Sequence, residues 1–442
     1  MRFATLAVFL LLLPRAGVAA AVPADITPYT AFAWTAPNPP LTHVVGIIRY
    51  QSSSDPSHIA AALNKLPAGQ RFLLRWESND NHFWHNPADQ LPDPESAATQ
   101  PANPHRYQGP WIDNGAAAEA AFESRFAAAL KQHSATPDFL VLDTEFGIST
   151  YDMTEPHLRA IMADARWPAL AKRFNIHGTA GLIRTINNPN AQAFNLAMQV
   201  TTAHYFRAGY FEPWKTIFPN IHASDFGDGV LDAAAAQQAP DDMGCIQPMA
   251  LPMHGDTQSP YCYAWVHDLA KSPAGQGADF TKPMPILCWL TSMVRAYAKS
   301  PQPILPWLAA KSWTDGHVPI VNSPYQDELL FHICLSAGCT EILFFNPDSP
   351  TADNQAIDHD LADLQRQTNN SPTLAPLTTA AVPYRSAILI SGATCADGRR
   401  IYRLTIWPTL PTPRQLRVSL PGEKTACLVI VPSDQPGVWI HH

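Results

Sequence analysis

Short apolar runs that end in polar or charged residues recur through the first three quarters of the chain, with helical patterns between them. This alternation constrains the fold more than any other feature. "VVGIIRY" (44–50) reads as a strand, "IAAALNKL" (59–66) as a helix and "RFLLRW" (71–76) as the next strand. "GAAAEAAFESRFAAALKQHS" then sets Phe122, Phe126 and Leu130 on one helical face and leads into the strand "FLVLD" (139–143). Thr154 can cap a helix over "EPHLRAIMADARWPALAKRF", with Pro156 in its first turn. Another helix begins near Pro189 and gives way to a strand in "NIHASDFGDG". "CIQPMAL" (245–251), "MPILCWL" (284–290) and "EILFFNP" (341–347) read as further strands, the last preceded by a helix that stops at Gly338. An eighth strand is expected near "FNIHGT" (174–179).

Strands alternating with helices predict a parallel sheet. Seven or eight such units over about 350 residues fit an α/β fold of the (β/α)8 TIM-barrel type across residues 21–375. No Gly-x-Gly-x-x-Gly follows the first strand, which removes the best support for a dinucleotide-binding sheet. From Ala387 only strands remain, "AILIS", "RIYRLTIW", "LRVSL", "CLVIV" and "VWI". These predict a small C-terminal all-β sandwich over residues 383–442 that braces the barrel.

"MRFATLAVFLLLLPRAGVAA" reads as a signal peptide (residues 1–20), too short in its apolar run to span a bilayer and followed by small residues suited to cleavage. The expected location is secreted or periplasmic. Removing the leader takes two of the 29 basic residues and none of the 37 acidic ones, leaving a net charge of about −10. That argues against nucleic acid or an anionic membrane as partner. No other stretch is apolar for long enough to cross a bilayer. The seven cysteines show no Cys-x-x-Cys pair, and in an exported chain the preferred pairings are Cys395 with Cys427 and Cys245 with Cys262. Cys288, inside an apolar run, is the expected free thiol.

Polar residues directly after apolar runs are the ones to inspect, because a barrel builds its active site at the C-terminal ends of its strands. These are Arg49 and Tyr50, then Arg75, Trp76 and Glu77, then Asp143 and Glu145, then Asp225, His254 and Asp256, Trp289, and Asn346. Asp143 and Glu145 are two positions apart, so in an extended strand they point the same way with Cα atoms about 7 Å apart. Two carboxylates that close repel, one pKa rises, and a proton donor stands beside an anion. Glycosidic cleavage needs that combination. Trp84 and Trp111, in the long segment between Glu77 and Asn114, offer flat faces for sugar rings. The competing structural reading pairs Asp143 with Arg49 or Arg75 in an ion pair.

"LDTE" resembles the Asp-x-Glu strand end of chitinase-like and hyaluronidase-like barrels, and the chain from about residue 40 resembles a secreted glycoside hydrolase with a barrel and a C-terminal β-sandwich. "DELLFHICLSAGCTEILFFNP" is similar to the last helix and strand of many glycosidase barrels. The resemblance implies Glu145 as general acid and Asp143 as its helper. Chitinases carry a longer acidic run, and here Val141 and Phe139 stand in its earlier positions. If the mechanism uses two ordinary carboxylates instead, Asp225, Asp256 or Glu77 is the partner of Glu145. The expected function is hydrolysis of a poly- or oligosaccharide without a cofactor or metal. The alternatives are a carbohydrate-binding protein without turnover, and a metal-dependent hydrolase built on His254 and Asp256.

Overall fold

The structure is a computed structural model that describes residues 27–33, 43–50, 55–64, 72–76, 90–92, 106–108, 116–137, 139–143, 155–177, 190, 193–194, 206–226, 260–262, 282–298, 303–309, 325–339, 341–345 and 350–442. Its strands are β1 (Thr27–Ala33), β2 (His43–Tyr50), β3 (Phe72–Trp76), β4 (Gln90–Pro92), β5 (Arg106–Gln108), β6 (Phe139–Asp143), β7 (His222–Phe226), β8 (Tyr261–Cys262), β9 (Trp307–Ala309) and β10 (Glu341–Phe345). The C-terminal part adds β11 (Leu374–Pro376), β12 (Ile388–Cys395), β13 (Arg400–Ile406), β14 (Arg414–Val418), β15 (Cys427–Val431) and β16 (Gly437–His441).

Eight strands form one sheet in the order β7-β6-β3-β2-β1-β10-β9-β8. β2, β3, β6 and β7 pair in parallel, as do β8, β9 and β10. β1 alone runs antiparallel, between β2 and β10. Sequence reading missed β1, because "TPYTAFA" is neither a long apolar run nor cleanly alternating. It also missed the short strands β8 and β9. The β4–β5 ribbon lies within the long segment after β3, where no regular element was expected.

The helices are α1 (Pro56–Leu63), α2 (Ala116–Gln132), α3 (Glu155–Ala163) and α4 (Trp167–Phe174), a π-helical turn (Arg207–Phe211) running into α5 (Glu212–Ile217), then α6 (Pro283–Tyr297), α7 (Tyr325–Ala337) and α8 (Pro350–Thr368). Asp55 caps α1 by accepting from the Ser57 backbone N–H at 2.9 Å, with Pro56 in the first position where no N–H is needed. The single helix expected over 155–174 is two. Pro168 cannot donate to the preceding turn, and Asp164 instead accepts from the Arg166 backbone N–H at 2.9 Å. α4 ends at Asn175, in the left-handed conformation (φ 57), where a strand was expected to begin.

The largest correction concerns residues 284–290, expected as a strand and found inside α6. A fully buried helix and a buried strand look alike in composition. Ile286, Leu287 and Leu290 are each 0% exposed, so no polar face marks the 3.6-residue period. α7 is buried almost all round for the same reason, between α6 and the C-terminal sheet. Its end is as expected: Gly338 takes a left-handed conformation (φ +65) and donates its N–H to Cys334 O at 3.0 Å.

The C-terminal part is a four-stranded sheet, β11-β12-β13-β16, with the ribbon β14-β15 on one face and α7 on the other. The five expected strands are present. β11 lies ahead of residue 383 and joins the same sheet by pairing with β12. Tyr402, Leu404 and Ile406 face the ribbon, while Ile401, Arg403 and Thr405 face α7, so β13 is buried on both sides. Gly392 sits opposite Tyr402, and a Cβ there would stand 2.4 Å from the ring.

No disulfide joins Cys262, Cys288, Cys334, Cys339, Cys395 or Cys427 in this structure. The expected Cys395–Cys427 bond is therefore absent. Cys395 belongs to the core on the α7 side of the sheet, whereas Cys427 packs against the core on the ribbon side. Cys245 lies outside the described residues.

Candidate active site

The C-terminal ends of β2, β3, β6 and β7 lie side by side, and they carry six of the residues singled out by sequence. Arg49 and Tyr50 close β2, Arg75 and Trp76 close β3, Asp143 closes β6, and Asp225 is the penultimate residue of β7. The register aligns them. Arg49 pairs with Arg75 and Arg75 with Val141, while Tyr50 pairs with Trp76, Trp76 with Leu142 and Leu142 with Asp225.

Laterally paired residues occupy the same face of a sheet and successive residues alternate. By register, Arg49, Arg75 and Val141 share one face, and Asp143, two positions beyond Val141, shares it too. Tyr50, Trp76, Leu142 and Asp225 share the other. Asp143 and Asp225 are thus neighbours across adjacent strands, about 6 Å apart at the Cα atoms, yet of opposite parity.

Glu145, Glu77, Trp84, Trp111, His254, Asp256 and Asn346 lie outside the described residues. Glu145 follows Asp143 by two positions, Glu77 directly follows β3 and Asn346 directly follows β10. Trp289 does not follow a strand. It lies within α6, is 6% exposed and packs in the main core among Leu287, Leu290 and Met293. Its selection as a site residue rested on the strand that α6 replaces. Among the described residues no group of three or more His, Cys, Asp or Glu is arranged to hold a metal ion. None of the described helices is long and apolar enough to cross a membrane.

Sequence reasoning did not anticipate a polar seam between α7, α6 and the C-terminal sheet. Arg403 holds Glu328 through two hydrogen bonds, its Nε donating to Oε2 at 2.8 Å. Thr405 Oγ1 donates to the same carboxylate. His332 lies between two hydroxyls, with Nε2 2.8 Å from Thr405 Oγ1 and Nδ1 2.8 Å from Ser391 Oγ. Arg295 completes the chain, donating to Ile390 O at 2.7 Å, Ala380 O at 3.0 Å and Ser391 Oγ at 3.1 Å. Burial, reinforced by Arg403 and Arg295, holds His332 well below its ordinary pKa, so the ring is neutral. Burial also lowers Arg295 to about 10. Every polar group of the seam is spent on another, which marks it as a structural joint. Sequence offered only a faint signal, the polar residues Glu328 and His332 among the apolar ones of α7.

No family model matches the chain, and no curated protein matches it. Among solved structures, the chain is similar to a family 39 glycoside hydrolase from the gut symbiont Bacteroides cellulosilyticus WH2, at 12% identity and a TM-score of 0.31, over 89% of this chain and 73% of that one. A likeness of that size places the chain in no family.

Proposed function

We propose that this protein is an exported glycoside hydrolase on a (β/α)8-type scaffold that cleaves a poly- or oligosaccharide. Glu145 is the proton donor and Asp143 its anionic partner. The observation that supports this most is the row of aligned strand ends on β2, β3, β6 and β7, which gathers Arg49, Tyr50, Arg75, Trp76, Asp143 and Asp225 along one edge of a parallel sheet. In α/β sheets substrates meet the protein at that edge. Asp143, in the register row of Arg49 and Arg75, is assigned as the anion that favours the cationic sugar transition state. Glu145, two positions on, is the group left to carry a proton at neutral pH. Tyr50 and Trp76 offer rings for stacking, and the C-terminal sandwich braces the scaffold.

A second reading follows from the same register. If Arg49 or Arg75 neutralises Asp143 in a closed ion pair, the edge binds carbohydrate without turning it over. Hydrolysis of a panel of polysaccharides and aryl glycosides by wild type and Glu145→Gln separates the two. Loss of about 100-fold or more in the variant, with folding intact, supports the proton donor. Unchanged turnover removes Glu145 from the mechanism. No turnover by the wild type across the panel favours binding alone.

A further inference from the structure

Cys262, Cys334 and Cys339 come from separate places in the chain and share the main core. Cys334 lies in the last turn of α7, and Cys339 follows Gly338, the left-handed residue that ends the helix. Gly338 donates its N–H to Cys334 O at 3.0 Å, so the chain turns at the helix end and Cys339 follows directly on the turn closed over Cys334. Both cysteines lie in one core cluster, and burial, with the Cys339 thiol near enough to add to it, pushes the Cys334 thiol's pKa up. Cys262, in β8, stands close enough to act electrostatically on both. All three are buried, at 0%, 0% and 4% exposure for Cys262, Cys334 and Cys339.

We propose that Cys334 and Cys339 are a disulfide-forming pair, oxidised during folding in a thiol-oxidising compartment, and that the bond fastens the end of α7 to the approach to β10. The thiolate of one cysteine attacks a sulfur of a small-molecule or protein disulfide, whose S–S bond breaks and releases one thiol. The second cysteine's thiolate then displaces the remaining half as a second thiol. Two cysteine thiols are oxidised, one S–S bond forms, and the donor disulfide is reduced. The exchange belongs to the stage before α7 docks, because burial in the finished core keeps Cys262 and Cys334 protonated and inert. Cys339 is the natural partner of Cys334 because the capping turn brings them together as soon as the helix forms. Cys262 arrives only with the sheet.

The test is thiol mapping of the full chain produced behind an export signal in a bacterial periplasm, so that it is independent of the protein's own location and activity. The protein is denatured in iodoacetamide without reductant and digested with chymotrypsin, which can cut after Leu335 between the two cysteines. The expected result is that Cys334 and Cys339 escape alkylation, stay joined across the cut and become labelled only after reduction. Cys288 is labelled directly. Cys262→Ala should leave the 334–339 bond unchanged. Direct labelling of both cysteines, or a bond from either one to Cys262, overturns the proposal.

Discussion

Arg403 on β13 and Glu328 on α7 form a two-pronged, buried ion pair that ties the C-terminal sheet to the last helix before β10. The guanidinium also lies over the rings of Phe331 and Trp439, at 4.9 and 5.0 Å from their centroids. Removing one charge leaves the other buried without a counterpart. Arg403→Met or Glu328→Leu alone should therefore cost about 3–5 kcal/mol, and the double replacement much less than the sum. Urea unfolding of the four proteins checks this. Additive losses would mean that the pair contributes as two independent side chains.

The same seam makes stability depend on acid. His332 has a folded pKa well below the ordinary 6.5, so below pH 6.5 the unfolded chain binds a proton that the folded one refuses. Its contribution is fully present above pH 6.5 and lost as pH falls from there through the folded pKa. Thermal midpoints between pH 7.5 and 4.5 should fall more steeply in wild type than in His332→Gln. Parallel curves would show that other groups set the acid limit.

Gly338 closes α7 with a positive φ, and a Cβ there would stand 2.5 Å from the carbonyl oxygen of Leu374. Gly338→Ala combines an unfavourable backbone with a contact to backbone that cannot swing away. A loss of about 1–3 kcal/mol is expected in chemical unfolding. A neutral outcome would require the α7 terminus to move relative to β11.

A chain cut after residue 373 should not yield a soluble, folded protein. The cut uncovers the α7 face that carries Glu328, Phe331 and His332, and it strands Arg295 without Ile390 O and Ser391 Oγ. Size-exclusion chromatography and far-UV circular dichroism of the truncated chain decide the matter. A monomer with native helix content would make the C-terminal part an independent attachment.

On the activity proposed, Asp143→Asn and Asp225→Asn should differ. By register Asp143 falls in the row of the two arginines, and Asp225 does not. We expect about 100-fold loss for the first and under about 10-fold for the second, read as kcat on the best substrate of the panel. Equal losses would place both carboxylates in the reaction.

Legibility from sequence followed the distinctness of the pattern. β2, β3, β6 and β10 carry apolar runs with polar ends, and they were found together with the polar residues that close them. The C-terminal strands were found because turns such as "ADG", with Gly398 at φ +86, punctuate them. α6 failed because Met284 to Leu290 lacks a polar face, and Trp289 was misplaced with it. The seam was unreadable because no single sequence position announces that Glu328 meets Arg403. Only docking of α7 on β13 creates that need.

The antiparallel placement of β1 dictates an order of assembly. Its partners are β2, which follows directly, and β10, where Thr30 waits for Phe344. On a ribosome β1 emerges first of the eight strands and its second neighbour, β10, last of them. One edge of β1 must stay unpaired while most of the sheet is being synthesised, a state prone to wrong pairings. Completion of the sheet is thereby reserved for a chain that has been made past Phe345.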